Sequence, residues 1–201
     1  MCWNATVSIQ TFVLSCAAIM VAWWLGMYSH VFLLFYFAVA VMQLDEFFLW
    51  RNLKDKTWNR VFTRGAVLIL LLQPLVAMHI LHNTDLLHYV FYPLYAVFLV
   101  VTTAFMRNHM QTVQRGGHLV WGFFESKQKH SVAHSVWLLL YYGLLFTPFF
   151  IEGWYHALGI GIATLLLSLY VYGSLYPSLW CWSLNAFSVY VLVYAAYQSL
   201  V

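Results

Sequence analysis

Asp45 and Glu46 are adjacent carboxylates near the end of an apolar run that begins at Ser29 and closes at Trp50. An Asp at the centre of a membrane helix costs about 2.5–3.5 kcal/mol on insertion scales. Carboxylates in such runs face a bundle interior or a hydrated cavity and mark function by default. Helical spacing puts Gln43, Glu46 and Trp50 on one stripe and turns Asp45 about 100° away. Glu46 is therefore expected to face the interior, and Asp45 to meet Arg60 or Arg64 across the following turn. Counting along the helices brings further amides to the same half of the bilayer. Gln10, Gln43, Gln73 and Asn185 join Asp45 and Glu46 in an expected polar centre of the kind that passes a proton or a small cation. Gln73 also precedes Pro74, whose missing N–H frees the carbonyl of Leu70.

A second constellation maps to the opposite end of the apolar runs: His30, His79, His82, Asp85, His88, Glu152 and His156. His79 and His82 are three apart and Glu152 and His156 four apart, so each pair shares a face wherever one helix runs through it. Imidazole and carboxylate suit zinc and other first-row transition metals. A metal site of His79, His82, His156 and Asp85 is the expectation, beside pH-sensitive protonation and plain interfacial hydrogen bonding. The pair His130 and His134 falls at the other end of the bundle and cannot join this group. A retinal Schiff base is excluded, because Lys54, Lys56, Lys127 and Lys129 all fall in loops.

The elements that position these groups follow from composition. Of the 201 residues, 64% are hydrophobic and 7% charged, against about 25% charged in soluble domains. A chain with so little charge has its natural partner in the lipid bilayer, as an integral, multi-pass membrane protein. Seven apolar runs approach the length of a span, at about 6–26, 29–50, 63–83, 86–106, 132–151, 154–173 and 178–200. The expected fold is all-α, a single domain over 1–201. All Lys and Arg lie in two segments, Arg51–Arg64 and Arg107–Lys129. The positive-inside rule makes their shared side cytoplasmic, with the N-terminus on that side and the C-terminus exoplasmic.

The net charge of +3 is thus a topology signal and no sign of nucleic-acid binding. Leu119, Val120, Trp121, Phe123 and Phe124 beside Lys127 and Lys129 suggest an interfacial helix around 116–128. Ala157, Gly159, Gly161 and Ala163 form a small-residue face that allows a homo-oligomer. Aromatic residues make up 20% of the chain. They suit interface belts, and equally the walls of an apolar pocket for lipid or pigment.

Met1-Cys2-Trp3-Asn4, Val7-Ser8, Thr11-Phe12, the stretch Met42-Gln43-Leu44-Asp45-Glu46-Phe47-Phe48-Leu49-Trp50 and Leu72-Gln73-Pro74 carry a family likeness. In these first three spans the chain resembles an uncharacterised family of small multi-pass membrane proteins found in large DNA viruses and in protists and algae. The resemblance implies a membrane protein of viral type and transfers no activity or catalytic residue. Three readings follow. The first is a proton or small-cation channel or transporter, with a polar conduit through Gln43, Glu46 and Gln73. The second is a metal-dependent lipid hydrolase using the outer histidines. The third is a non-catalytic viral, structural or receptor-like component. A non-enzymatic role is preferred.

Overall fold

Residue patterning along the first helix is inverted relative to a water-soluble protein. In the computed structural model, which describes residues 4–106, 111–122, 132–172 and 184–198, helix α1 spans Ala5–Trp24. Its buried positions are Ser8, Thr11, Ser15, Ala18 and Ala22, a three-four repeat of small side chains. Val13, Met20 and Trp24 point outward, Trp24 at 83% exposure. Between lipid tails and apolar side chains there is no hydrophobic drive, so small and polar residues take the helix contacts and large apolar ones face out. Asn4 caps the helix, its Oδ1 accepting the Val7 N–H at 2.9 Å.

Helix α2 spans His30–Arg51 behind a Ser29 cap, and α3 spans Lys56–Met78 behind an Asp55 cap. The next helix, α4, runs on through Thr84–Leu86, Leu87–Phe91 and Tyr92–Met106, with the middle stretch in π geometry. Pro93 explains that stretch. It has no N–H, and its ring crowds the carbonyl of Tyr89, so the ladder widens locally. The Tyr92 N–H accordingly reaches back to the Leu87 carbonyl. Helices α5 (Val132–Ile151), α6 (Tyr155–Tyr172) and α7 (Leu184–Gln198) follow among the described residues.

Ala5–Trp24, His30–Arg51, Lys56–Met78 and Thr84–Ala104 are long and apolar enough to cross a membrane; Ser135–Ile151 and Tyr155–Val171 are shorter apolar helices. The architecture is thus mainly helical and consistent with an integral, multi-span membrane protein.

Between α4 and α5 the expected interfacial helix is replaced over the described residues by a β-hairpin. Strands β1 (Thr112–Arg115) and β2 (His118–Trp121) pair antiparallel, Thr112 opposite Trp121 and Arg115 opposite His118. The turn is Gly116-Gly117, with φ of +56° and +79°, the pair of left-handed residues that a two-residue hairpin turn requires. Residues 123–128 of the expected helix lie outside the described residues.

The hairpin is bolted to the first turns of α3. Asn59 Nδ2 donates to the Thr112 carbonyl at 2.8 Å, and its Oδ1 accepts the Thr112 N–H at 2.9 Å. Thr63 and Thr112 join hydroxyls at 2.8 Å. One amide thus satisfies both backbone groups of a buried strand residue, which otherwise costs the full desolvation of each. Leu119 and Trp121 of β2 are buried.

Candidate functional site

Five helices and the hairpin leave a cavity of about 120 Å³ among them. For scale, an engineered apolar cavity of about 150 Å³ takes up benzene. Its α2 wall runs from Phe32 to Met42, ten residues or about 15 Å at the helical rise, so it is a groove elongated along the bundle. Trp137, Tyr141, Phe146 and Phe149 of α5 face Ala157, Leu158 and Gly161 of α6 and Phe187 of α7, and Trp121 of the hairpin closes one end. The rings are held by one another. Trp137 stacks on Tyr141 at 5.2 Å and 5°, and Trp137 Nε1 donates to Thr102 Oγ1 at 2.9 Å. At the other end Phe32 stacks on Trp154 at 4.6 Å, with Phe149 edge-on to it. Such offset and edge contacts add about 0.5–1.5 kcal/mol per pair beyond their buried area.

One polar pair stands out against these walls. The Tyr141 hydroxyl donates to Gln73 Oε1 at 2.5 Å, and Gln73 Nε2 donates to the Ala38 carbonyl at 3.4 Å. The pair connects α3, α5 and α2. Gln73 is 4% exposed and lines the cavity. Tyr36, also a lining residue, turns its hydroxyl to Ser188 at 2.6 Å, and Ser188 meets Ser15 at 3.1 Å. Tyr36 is thereby tied to the α1–α7 seam.

The other residues of the expected polar centre go to separate places. Gln43 and Glu46 are fully buried and Asp45 is 8% exposed, but these three do not line the cavity. Asp45 does not reach Arg60 or Arg64. Its Oδ1 lies over Gly65, where an added Cβ would come within 2.7 Å, and its Oδ2 has no hydrogen-bond partner among the described residues. Both arginines are exposed. Asn185 donates to Thr11 Oγ1 at 2.9 Å, binding α7 to α1, and Gln10 is exposed.

The metal expectation is overturned. Among the described residues no group of three or more His, Cys, Asp or Glu side chains is placed to hold a metal ion. The reason is where the helices stop. Helix α3 ends at Met78 and His79 is its cap, so His79 and His82 never share a helical face. His79 Nδ1 lies 2.7 Å from the Leu75 carbonyl and so carries its hydrogen there, leaving Nε2 to accept from Tyr92 at 3.2 Å. Helix α5 ends at Ile151 and α6 begins at Tyr155, which splits Glu152 from His156. His156 and Asp85 are exposed. His130 and the side chain of His134 lie outside the described residues.

What forms on that rim is a clasp. Glu152 accepts the His82 backbone N–H at 2.8 Å and pairs with His82 Nδ1 at 2.5 Å, joining the α5–α6 turn to the loop after α3. Burial pushes the Glu152 carboxyl up, but the bonds from the His82 backbone and ring outweigh it and hold the group below the usual carboxylate range. Gly153, at φ +75°, makes the turn that follows.

Sequence reasoning passed over Tyr141, Asn59 and the Ser15–Ser188–Tyr36 chain. The hairpin had a signal in Gly116-Gly117 between two four-residue β-prone stretches. A Tyr on an aromatic-rich helix carries none. Comparison with family models, with curated proteins and with solved structures finds no match to this chain.

Proposed function

We propose that the chain is a seven-span membrane protein, with its N-terminus cytoplasmic, that binds an apolar small molecule of the bilayer in the aromatic groove. The observation that carries this reading is the groove itself: about 15 Å long by the helical rise, walled by rings and aliphatics, and interrupted chiefly by the Gln73–Tyr141 pair. Apolar walls with a few placed polar groups are the usual make-up of a small-molecule site. At about 120 Å³ the groove holds an apolar segment no larger than about a benzene ring, so a longer bilayer molecule would lie only partly within it.

The orientation is supported by the Asn59–Thr112 bonds. They bring the hairpin with Arg115 to the same end as Arg51, Lys54, Lys56 and Arg60. The role is binding without catalysis. Purified protein, washed in detergent and extracted, is expected to release an apolar compound near one per chain by mass spectrometry. Ala157→Phe and Leu158→Trp, which fill the groove, are expected to lose it. Identical extracts from all three proteins would end the proposal.

A second reading, proton movement through the inner half of the bundle, is supported by the buried Asp45 carboxylate with its unpartnered oxygen. Liposome flux followed with a pH-sensitive dye tests it. Flux that is absent, or unchanged in both Asp45→Asn and Glu46→Gln, rules it out.

A further inference from the structure

Hydrogen bonding inside the groove narrows what the ligand can be. The Ala38 carbonyl can only accept, so the Gln73 atom beside it is Nε2, and Oε1 is the atom facing Tyr141. An amide oxygen cannot donate, so the Tyr141 hydroxyl spends its hydrogen on Gln73. The amide then has a second N–H, for which no partner is found among the described residues, on a side chain 4% exposed to its surroundings. Three other donors of the groove wall are committed elsewhere. Ser188 gives its hydrogen to the Leu184 carbonyl at 2.9 Å, so Tyr36 must donate to Ser188. Thr164 donates to the Ile160 carbonyl at 2.7 Å, and Trp137 to Thr102. A buried donor left unmade in a dry, aromatic space is costly.

Resting on the groove as a binding site, we infer that its ligand carries an oxygen acceptor, a carbonyl or a hydroxyl, flanked by hydrocarbon on both sides, which takes the free N–H of Gln73. The flanking follows from position. Gln73 meets α2 at Ala38, between Phe32 towards one end of the groove and Met42 towards the other. The oxygen therefore sits part-way along the ligand, and an amphiphile whose only polar group is a terminal charged head does not match. Secondary alcohols, ketones and fused-ring carbonyl compounds do.

The test uses two flat probes of one shape, fluorene and 9-fluorenone, titrated into protein in nanodiscs and corrected for their partition into empty nanodiscs. Both are expected to bind saturably, with fluorenone about tenfold tighter, the worth of a typical net hydrogen bond. Gln73→Leu and Gln73→Met are expected to remove this preference by weakening fluorenone more than fluorene, with circular dichroism in nanodiscs reporting that each variant is folded. Equal affinities for wild type, as when a resident water satisfies Gln73, overturn the inference and leave the groove standing. Absence of saturable binding by either probe overturns the groove itself.

Discussion

The outer histidines and the Gln73–Tyr141 pair are both made of groups that can do chemistry, and they are used in opposite ways. His79 and His88 each turn Nδ1 to a carbonyl four residues back, at 2.7 Å, and stand exposed. Gln73 and Tyr141 lie 68 residues apart in the chain and meet where both are buried. A histidine bonded to the carbonyl one turn back reports mostly local geometry, His79 adding one exposed bond from Tyr92 of the next helix. A buried amide bonded across three helices fixes where those helices stand. Long-range, buried polar contacts are thus where this chain concentrates its specificity, and the rim is comparatively indifferent to substitution.

That contrast can be broken from the buried side first. Asn59→Ala leaves the Thr112 N–H and carbonyl without partners. It is expected to cost about 3 kcal/mol of stability, read by unfolding in detergent with Trp fluorescence. Loss of less than about 1 kcal/mol would mean the hairpin is held by its apolar side chains alone. Next in size is Gly65→Ala, whose Cβ would press on Asp45 Oδ1 at 2.7 Å. A loss of about 2 kcal/mol is expected, recovered in the double variant with Asp45→Ala. No recovery would show that the strain lies elsewhere.

The rim clasp should respond to acid. The Glu152 carboxyl is depressed in the folded state, so the folded protein holds fewer protons than the unfolded one over that range. Its contribution is full above the ordinary value of 4.5 and fades as pH falls through the folded value. The thermal midpoint should therefore drop on acidification below that point, and Glu152→Gln should remove that component. A Glu152→Gln profile parallel to wild type contradicts the clasp. The smallest effects belong to exposed histidines. His79→Ala and His156→Ala should each change stability by less than about 0.5 kcal/mol, and a chelator should leave all midpoints unmoved. A chelator-sensitive midpoint would reopen the question of a metal.

Much of the helical plan was legible, because apolar runs of span length need no long-range information. The runs around α1 and α2 were placed within about two residues, and Pro74 and Pro148 do lie inside helices. Helix ends were harder. Extending the third run to residue 83 put His79 and His82 on one face, whereas the helix stops at Met78. Glu46 was expected to face the interior and is buried, whereas Asp45, expected to turn towards Arg60 or Arg64, is buried as well, because direction within a bundle depends on neighbours. Asp45 faces Gly65 of α3 because a missing side chain lets it approach, and nothing in the spacing of α2 announces that. The cavity was legible only as aromatic content, since its walls converge from five helices. Its polar pair joins one residue that was named, Gln73, with one that was not, Tyr141.

Whether the groove is occupied from the bilayer is tested most directly by photoaffinity labelling in nanodiscs. The probe is an alkyl ketone bearing a diazirine, and its adducts are mapped by peptide mass spectrometry. The prediction is saturable labelling concentrated on Tyr142–Phe149 and Ala157–Thr164, competed by excess unlabelled ketone and lost in Leu158→Trp. Labelling spread evenly over outward-facing residues such as Leu139, Leu166 and Val193, and unaffected by competitor, would contradict it.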